Sequence, residues 1–528
     1  MLNRLFLCAA ACVLGACATP PEPATELAPV PFAGQPSVLP DGWEHGAFME
    51  VFVRGYKDSN ADGIGDLRGL TQSLDYLKAL GVKGLWLMPI TRSADHDHGY
   101  AVTDYRGIEA DYGTLADLDE LLRQAHARGI GVIMDYVINH SAASHPLFVQ
   151  AKGSRSSPMR DWFVWQDTAP AGWDVWGHNP WYAESGSSYY ATFGPHMPDF
   201  NLRNPAAVNY HFDSLRFWLN RGLDGFRFDA VPHLIENNAR DWNDQPESYA
   251  LMGQVQALVK RYDKRHLVCE ATAHPTAWAA PEACGSAFAF GLEHHIAAAA
   301  RGDTQAIQAV ADWFKTAPLG MATMVSNHDI FAGERLWDQV KGDTAQYRLA
   351  AATYLLLPGT PFIYYGEEVG MAGGAGLSGD PKLRTPMSWT GDTTTAGFTS
   401  GRPFRALSAN VATNNAAAQQ TDANSILSFY KAMLRLRNTL PSIARGSYEH
   451  AFVAGQAMGY QRALGTERTL VLLNYATAPA TVRVGQLPAG AALVPAYPKG
   501  GQAGKADIGG TAALALPAQS VQVYLVRQ

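Results

Sequence analysis

Cysteine is scarce in this 528-residue chain: of five, Cys8, Cys12 and Cys17 sit at the very start, and only Cys269 and Cys284 remain for the body. One possible pair excludes a disulfide-scaffolded fold. Charge is also thin, at 17% of residues, and the net charge of −7 contains no basic block. Capture of nucleic acid or of an anionic lipid surface is thereby excluded, and a neutral ligand suits the chain better. No repeat of solenoid period is present. The one long apolar run, Leu5 to Ala16, is too short to span a bilayer as a permanent helix. What the chain does have is an ordinary globular share of hydrophobic residues, 47%, with 13 Trp, 22 Tyr and 21 Phe. Its length allows a large barrel of roughly 250 residues or more plus accessory domains.

The cationic start Met1–Arg4 followed by Leu5–Ala16 reads as a secretory signal. Its end, Leu14-Gly15-Ala16-Cys17, resembles the lipobox of bacterial lipoproteins, which implies an exported, envelope-bound protein with a lipid anchor at Cys17. Prolines 20, 21, 23, 29, 31, 36 and 40 then describe an extended tether. The expected divisions are a signal over 1–17, a tether over 18–42, a catalytic barrel over 43–440 and a β-sandwich over 445–528. A monomer is expected.

From Ala47 onward amphipathic helices alternate with short apolar runs. Leu70, Leu74 and Leu77 lead by helical spacing into Gly84–Pro89; Leu118, Leu121, Leu122 and Ala125 lead into Gly131–Asp135; Phe212, Leu215 and Leu219 lead into Gly225–Asp229. With Phe48–Val53, His266–Glu270, Ala287–Gly291, Met321–Ser326 and Pro361–Tyr365, eight strands are counted. The alternation predicts an α/β fold, a closed (β/α)₈ TIM barrel. It stops over 141–200, a Trp- and Gly-rich stretch that reads as a subdomain inserted after the third strand. Beyond Tyr448 the helical period gives way to alternating runs such as Thr469–Asn474 and Ser520–Val526, an all-β C-terminal domain.

Polar residues end the predicted strands where a core would not place them: Asp135, Asn139 and His140 at the third, Arg227 and Asp229 at the fourth, Glu270 at the fifth, His328 and Asp329 at the seventh. A parallel barrel brings all these ends to one face. Any one of them alone reads more easily as a cap or a surface pair; together they point to a site. The segments Asp135-Tyr-Val-Ile-Asn-His140, Gly225-Phe-Arg-Phe-Asp229-Ala230, Glu270 after Leu267-Val-Cys, Ser326-Asn-His-Asp329 and Met197-Pro-Asp-Phe-Asn201 resemble, in order and spacing, the α-amylase family of glycoside hydrolases. That resemblance implies Asp229 as nucleophile, Glu270 as general acid/base and Asp329 as the carboxylate that holds sugar hydroxyls. Tyr100, His140, Arg227 and His328 would line the subsite of the attacked glucose. Ala230 resembles α-1,4-acting members more than α-1,6-specific ones, which tend to carry Val there.

The chemistry agrees. A retaining glycosidase needs one ionised carboxylate and one protonated carboxyl about 5–5.5 Å apart. Arg227, on the strand face of Asp229, favours the ionised form there, and the apolar run before Glu270 favours its protonated form. Asp58, Asn60, Asp62, the Ile64 carbonyl and Asp66 place oxygens at alternate positions around Gly63, which suits a structural Ca²⁺ ion. The pattern departs from an EF-hand because position twelve is Gly69; a metal-free Asx turn is the alternative. Two substrate patterns mix. His98-Gly99-Tyr100 resembles open-cleft α-amylases, whereas Asp97 falls where exo-acting α-glucosidases carry an Asp that pairs with an Arg, here matched to Arg384. The expectation is an α-amylase-type hydrolase of α-1,4-glucans and maltooligosaccharides. An exo-acting α-glucosidase or a trehalose-synthase-like transglycosylase is the alternative, and an inactive carbohydrate-binding relative is disfavoured by the intact carboxylates.

Overall fold

The computed structural model describes residues 27–528. The expected signal segment, Cys17 and the first part of the tether lie outside the described residues. Seven parallel strands form the barrel wall: β1 Phe48–Val51, β2 Gly84–Leu87, β3 Gly131–Tyr136, β4 Gly225–Phe228, β5 His266–Cys269, β6 Ala322–Thr323 and β7 Thr360–Tyr364. They pair in the order β5-β4-β3-β2-β1-β7-β6. The ring closes between β5 and β6 through two parallel bridges, Cys269 to Ala287 and Phe288 to Ala322. The strand expected over Ala287–Gly291 is thus reduced to two residues, because the chain turns at Gly291 (φ 98°) into the helix Leu292–Ala300. A disulfide joins Cys269 to Cys284 at this same seam.

Strand periodicity decides which side chains reach the site. Phe48, Trp86, Ile133, Val268, Phe288 and Phe362 form one buried cluster in the barrel interior. Met49, Leu85, Val132, Phe226, Phe228 and Cys269 belong to the layer against the helices. Stepping two residues along from the interior set gives Glu50 after Phe48, Asp135 after Ile133 and Glu270 after Val268. On β4 the inward positions are Arg227 and Asp229, between and after two outward phenylalanines. The apolar interior therefore ends in one polar layer at the strands' C-terminal ends.

Between β3 and the helix Pro205–Asn220 lies the inserted region, with a small antiparallel sheet of Trp165–Gln166, Trp181–Glu184 and Ser187–Tyr190. Residues 449–527 carry a six-stranded antiparallel sheet and a separate two-stranded one, packed over a second core that includes Leu470, Leu472, Val482 and Leu514. The described part of the tether is hydrogen-bonded to the barrel. Val30 donates to Asp213, Asn220 accepts from Ala33 and donates to Pro31, and Ser37 donates to Asp263, so this stretch is strapped to the barrel's outer surface.

Candidate active site

Arg227 organises the site. Its side chain is 1% exposed. Nη1 donates to Asp229 Oδ1 at 2.7 Å and to both oxygens of Asp135 at 2.9 and 3.0 Å. Nη2 reaches Glu270 Oε2 at 2.8 Å. The guanidinium lies over the Trp86 ring, 5.1 Å from its centroid. A planar fork with several fixed donors can serve three carboxylates at once, which a lysine could not. Ala230 sits in the left-handed region (φ 49°) and turns its N–H onto Glu270 Oε2 at 3.0 Å. Holding a residue with a Cβ in that conformation costs about 1–2 kcal/mol, a strain that clusters at functional sites.

The second half of the site is built on His328. Its Nε2 lies 2.7 Å from the Tyr100 hydroxyl and 3.1 Å from Asp329 Oδ2, while Nδ1 lies 2.5 Å from Glu50 Oε1. Arg384 holds the other oxygen of Asp329 at 2.7 Å and donates from Nε to the His328 carbonyl at 2.9 Å. Tyr100 also donates to Asp135 at 3.0 Å, which links the two halves.

Environment separates the carboxyls. Burial pushes Asp229 up to about 6, with Arg227 opposing it, and pushes Glu270 up to about 7. For Asp329 burial works in the same direction, yet the His328 and Arg384 charges outweigh it and hold that carboxyl well below the usual carboxylate range. His328 is drawn the opposite way: burial disfavours its charge, but Asp329 and Glu50 raise it to about 10. His140 is buried, pushed down to about 3 by that burial, and its Nε2 has no hydrogen-bond partner among the described residues. A neutral imidazole with a spare nitrogen on the cleft wall is suited to a sugar hydroxyl.

Tyr100, His140, Asp229, Glu270, Asp329 and Arg384 line a cleft of about 540 Å³, and Arg227 and His328, expected to line it, lie buried behind them. The sequence left open whether Asp97 meets Arg384 and favoured Asp97 as a solvated loop residue; in the structure the two do not pair, and Asp97 has another partner. Arg384 contacts Asp329 at 2.7 Å and Asp380 at 3.2 Å. Asp97 is held instead by Arg405, whose Nη2 contacts both carboxylate oxygens at 2.8 Å. Arg405 also donates to the Arg384 carbonyl at 2.8 Å, which ties the pair to the cleft wall. Arg405, Glu50 and Trp86 were not identified from sequence. Glu50 did leave a signal, a lone carboxylate inside the apolar run Phe48–Val51; Arg405, in a loop, left none.

The Asp58–Asp66 loop is closed by its own hydrogen bonds. Asp58 accepts from the amides of Asn60, Ala61 and Gly63 and from the Thr399 hydroxyl. Asp66 accepts from Ser59 and Gly69; Asn60 accepts from the Asp62 amide and Asp62 from the Ile64 amide. A carboxylate offers about four lone-pair sites, and those of Asp58 are all engaged. Ca²⁺ entering here would compete with these donors. Among the described residues no group of three or more His, Cys, Asp or Glu side chains is arranged to hold a metal ion.

Comparison with known proteins agrees with this architecture. An alpha-glucosidase of Pediococcus pentosaceus is 31% identical over 513 residues, covering 82% of this chain and 91% of that protein. A trehalose synthase/amylase TreS of Mycolicibacterium smegmatis is 33% identical over 472 residues, covering 77% and 78%. The solved structure of an alpha-glucosyl transfer enzyme, XgtA, matches with a TM-score of 0.79 at 28% identity, over 92% of this chain and 99% of that one. Residues 50–446 match the family model for the alpha amylase catalytic domain, and with the carboxylates clustered at its strand ends the chain belongs to the α-amylase family of glycoside hydrolases.

Proposed function

We propose that this protein is a retaining, exo-acting α-glucosidase that releases glucose from the non-reducing ends of α-1,4-linked maltooligosaccharides. The observation that carries this reading is the Asp97–Arg405 ion pair, fixed beside His98 and Arg384 at the cleft wall. A charged pair held there closes one end of the subsite and offers its oxygens and N–H groups to terminal hydroxyls, where an endo-acting enzyme needs an open groove. The open, amylase-type groove favoured by His98-Gly99-Tyr100 gives way on this ground, and the kinship with an alpha-glucosidase supports the change.

In this proposal Asp229 attacks the anomeric carbon while Glu270 gives its proton to the departing glycosidic oxygen. Water, deprotonated by Glu270, then releases the sugar with retained configuration. One guanidinium touching both carboxyls keeps them at the short range that retaining chemistry needs. Asp329, ionised, and neutral His140 hold hydroxyls of the attacked ring, with Tyr100 and His328 beside them. Ca²⁺ at Asp58, Asn60, Asp62, Ile64 and Asp66 belongs to the same proposal as a structural ion, as do export and a lipid anchor at Cys17. Among the described residues no helix is long and apolar enough to cross a membrane.

The test is a time course on maltotriose and on starch, with the product anomer followed by NMR. α-Glucose as the sole early small product from starch, and α-glucose with an equimolar amount of maltose from maltotriose, support the reading; maltose and longer fragments from starch at early times overturn it.

A further inference from the structure

Among the described residues three aromatic side chains stand largely exposed: Phe32 at 44%, Trp176 at 59% and Phe331 at 51%. Phe32 leans on Tyr262 and Arg261 at the barrel's outer surface. The other two both line the catalytic cleft, from different walls. Trp176 comes from the region inserted after β3, and Phe331 comes from the loop after β6, two residues beyond Asp329.

The backbone beneath Trp176 is unusual. Val175 and His178 exchange backbone hydrogen bonds at 2.8 and 3.1 Å as an antiparallel bridge, which leaves Trp176 and Gly177 as a two-residue hairpin loop. Both have positive φ, 50° and 87°. Such a turn prefers Asn or Gly at its first central position, because a left-handed conformation crowds any larger side chain. Here the position holds the bulkiest residue there is, with more than half its surface in water. Turn chemistry does not account for that choice, and strain of this kind marks functional positions.

The ring is nevertheless braced. Trp242 meets it edge-on at 5.4 Å and His233 at 5.1 Å, and Phe193 lies at 5.6 Å. Phe331 is backed by Phe290 at 5.7 Å. Two fixed, solvent-facing aromatic planes beside a hydrolytic centre match the apolar faces of pyranose rings. In the α-glucosidase reading the non-reducing end is held on the side of Asp97 and Arg405, and the chain beyond the scissile bond then leaves past these two rings.

Resting on the α-glucosidase reading, we propose that Trp176, with Phe331, is the platform that binds the sugar on the leaving-group side, so that the preferred substrates are α-glucosides whose leaving group is itself a pyranose. The test uses two substrates that differ only beyond the scissile bond: maltotriose, and α-glucosyl fluoride, whose departing fluoride cannot stack. In Trp176→Gly, kcat/KM for maltotriose falls by about tenfold or more, as loss of one aromatic contact predicts, while turnover of α-glucosyl fluoride stays within about twofold of wild type. Because Gly relieves the left-handed strain, the melting temperature of this variant is unchanged or raised. Trp176→Phe keeps a ring and recovers most of the maltotriose activity, and Phe331→Ala shows the same substrate selectivity in weaker form.

Equal losses on both substrates, or a maltotriose kcat/KM unchanged in Trp176→Gly, would overturn the platform while leaving the α-glucosidase reading intact. A wild-type protein that turns over neither substrate overturns that reading and the platform with it.

Discussion

His328 and Glu50 are joined by a 2.5 Å contact between Nδ1 and Oε1, both side chains lying within 1% of complete burial. Glu50 thereby fixes the ring orientation and favours its doubly protonated form, which in turn faces Asp329. Around His328 the charged and titratable groups are Glu50 from β1, Tyr100 from the loop after β2, Asp135 at the end of β3, Arg227 on β4, Asp329 beside it, and Arg384 beyond β7. Glu50→Gln keeps the shape and removes the charge. Loss of a hydrogen bond to a charged group is worth about 1.5–3 kcal/mol, so kcat/KM on maltose falls roughly 10–100-fold. Steady-state kinetics at several pH values checks this, and activity within twofold of wild type throughout would remove Glu50 from the site's machinery.

The pH–rate profile of the wild-type enzyme is expected to be a narrow bell. Its acid limb follows Asp229, pushed up to about 6 by burial, which must be ionised to attack. Its alkaline limb follows Glu270, pushed up to about 7 by burial, which must be protonated. Asp229→Asn lowers kcat by several orders of magnitude with substrate binding retained. Glu270→Gln abolishes turnover of maltose and spares α-glucosyl fluoride far more, since fluoride needs little help from an acid. Equal loss on both substrates would move the acid role to another residue.

Arg405→Ala frees Asp97 and opens the closed end of the subsite. The expected result is a fall in kcat/KM for maltose of roughly 100-fold, the order seen when one partner of a well-packed charge pair is removed, with longer products from starch. Arg405→Lys restores little, since the ammonium lacks the planar fork. An unchanged product pattern in Arg405→Ala would separate the ion pair from chain-end selection.

Stability should decline from pH 5 toward pH 8. Glu236 is raised to about 8 by burial and by Asp199, Asp199 to about 7 by burial, and Glu367 to about 7 by burial. Carboxyls whose folded-state pKa lies above the unfolded value bind more protons in the folded state. Their contribution is therefore complete below about pH 4 and is lost as pH rises through 7 to 8. Melting temperature against pH measures this, and Glu236→Gln flattens the slope. A curve that climbs from pH 5 to 8 would contradict the assignment of these groups as protonated.

EDTA treatment tests the Asp58–Asp66 loop. With Ca²⁺ bound at about 100 times its dissociation constant, removal takes away about 2.7 kcal/mol of stability. The melting temperature then drops by several degrees while the rate at 25 °C stays nearly constant, because the loop donates nothing to the cleft. Superimposable melting curves would assign the loop to its own hydrogen bonds.

Most of the barrel was legible because each β/α unit repeats one pattern, a helical stripe and then an apolar run ending in a polar residue. Those endings also gathered Asp229, Glu270 and Asp329 onto one face, where together they read as a site although each alone reads as a cap or a surface pair. What sequence could not give was pairing across distance. Asp97 signalled a partner, but Arg384 and Arg405 lie in one irregular stretch, and only the competing claim of Asp329 on Arg384 decides between them. The run Ala287–Gly291 failed as a strand for a local reason, the early turn at Gly291. The alternating oxygens of the Asp58 loop describe Asx turns and cation ligands equally well.

Where the wall narrows to two bridges between β5 and β6, Cys269 and Cys284 supply a covalent link one residue before Glu270. Elsewhere the barrel is held by many weak contacts that fail together. At this seam two hydrogen-bonded bridges share the closure with a buried disulfide, so the strand that ends in the proton donor is tethered covalently as well as by its ladder.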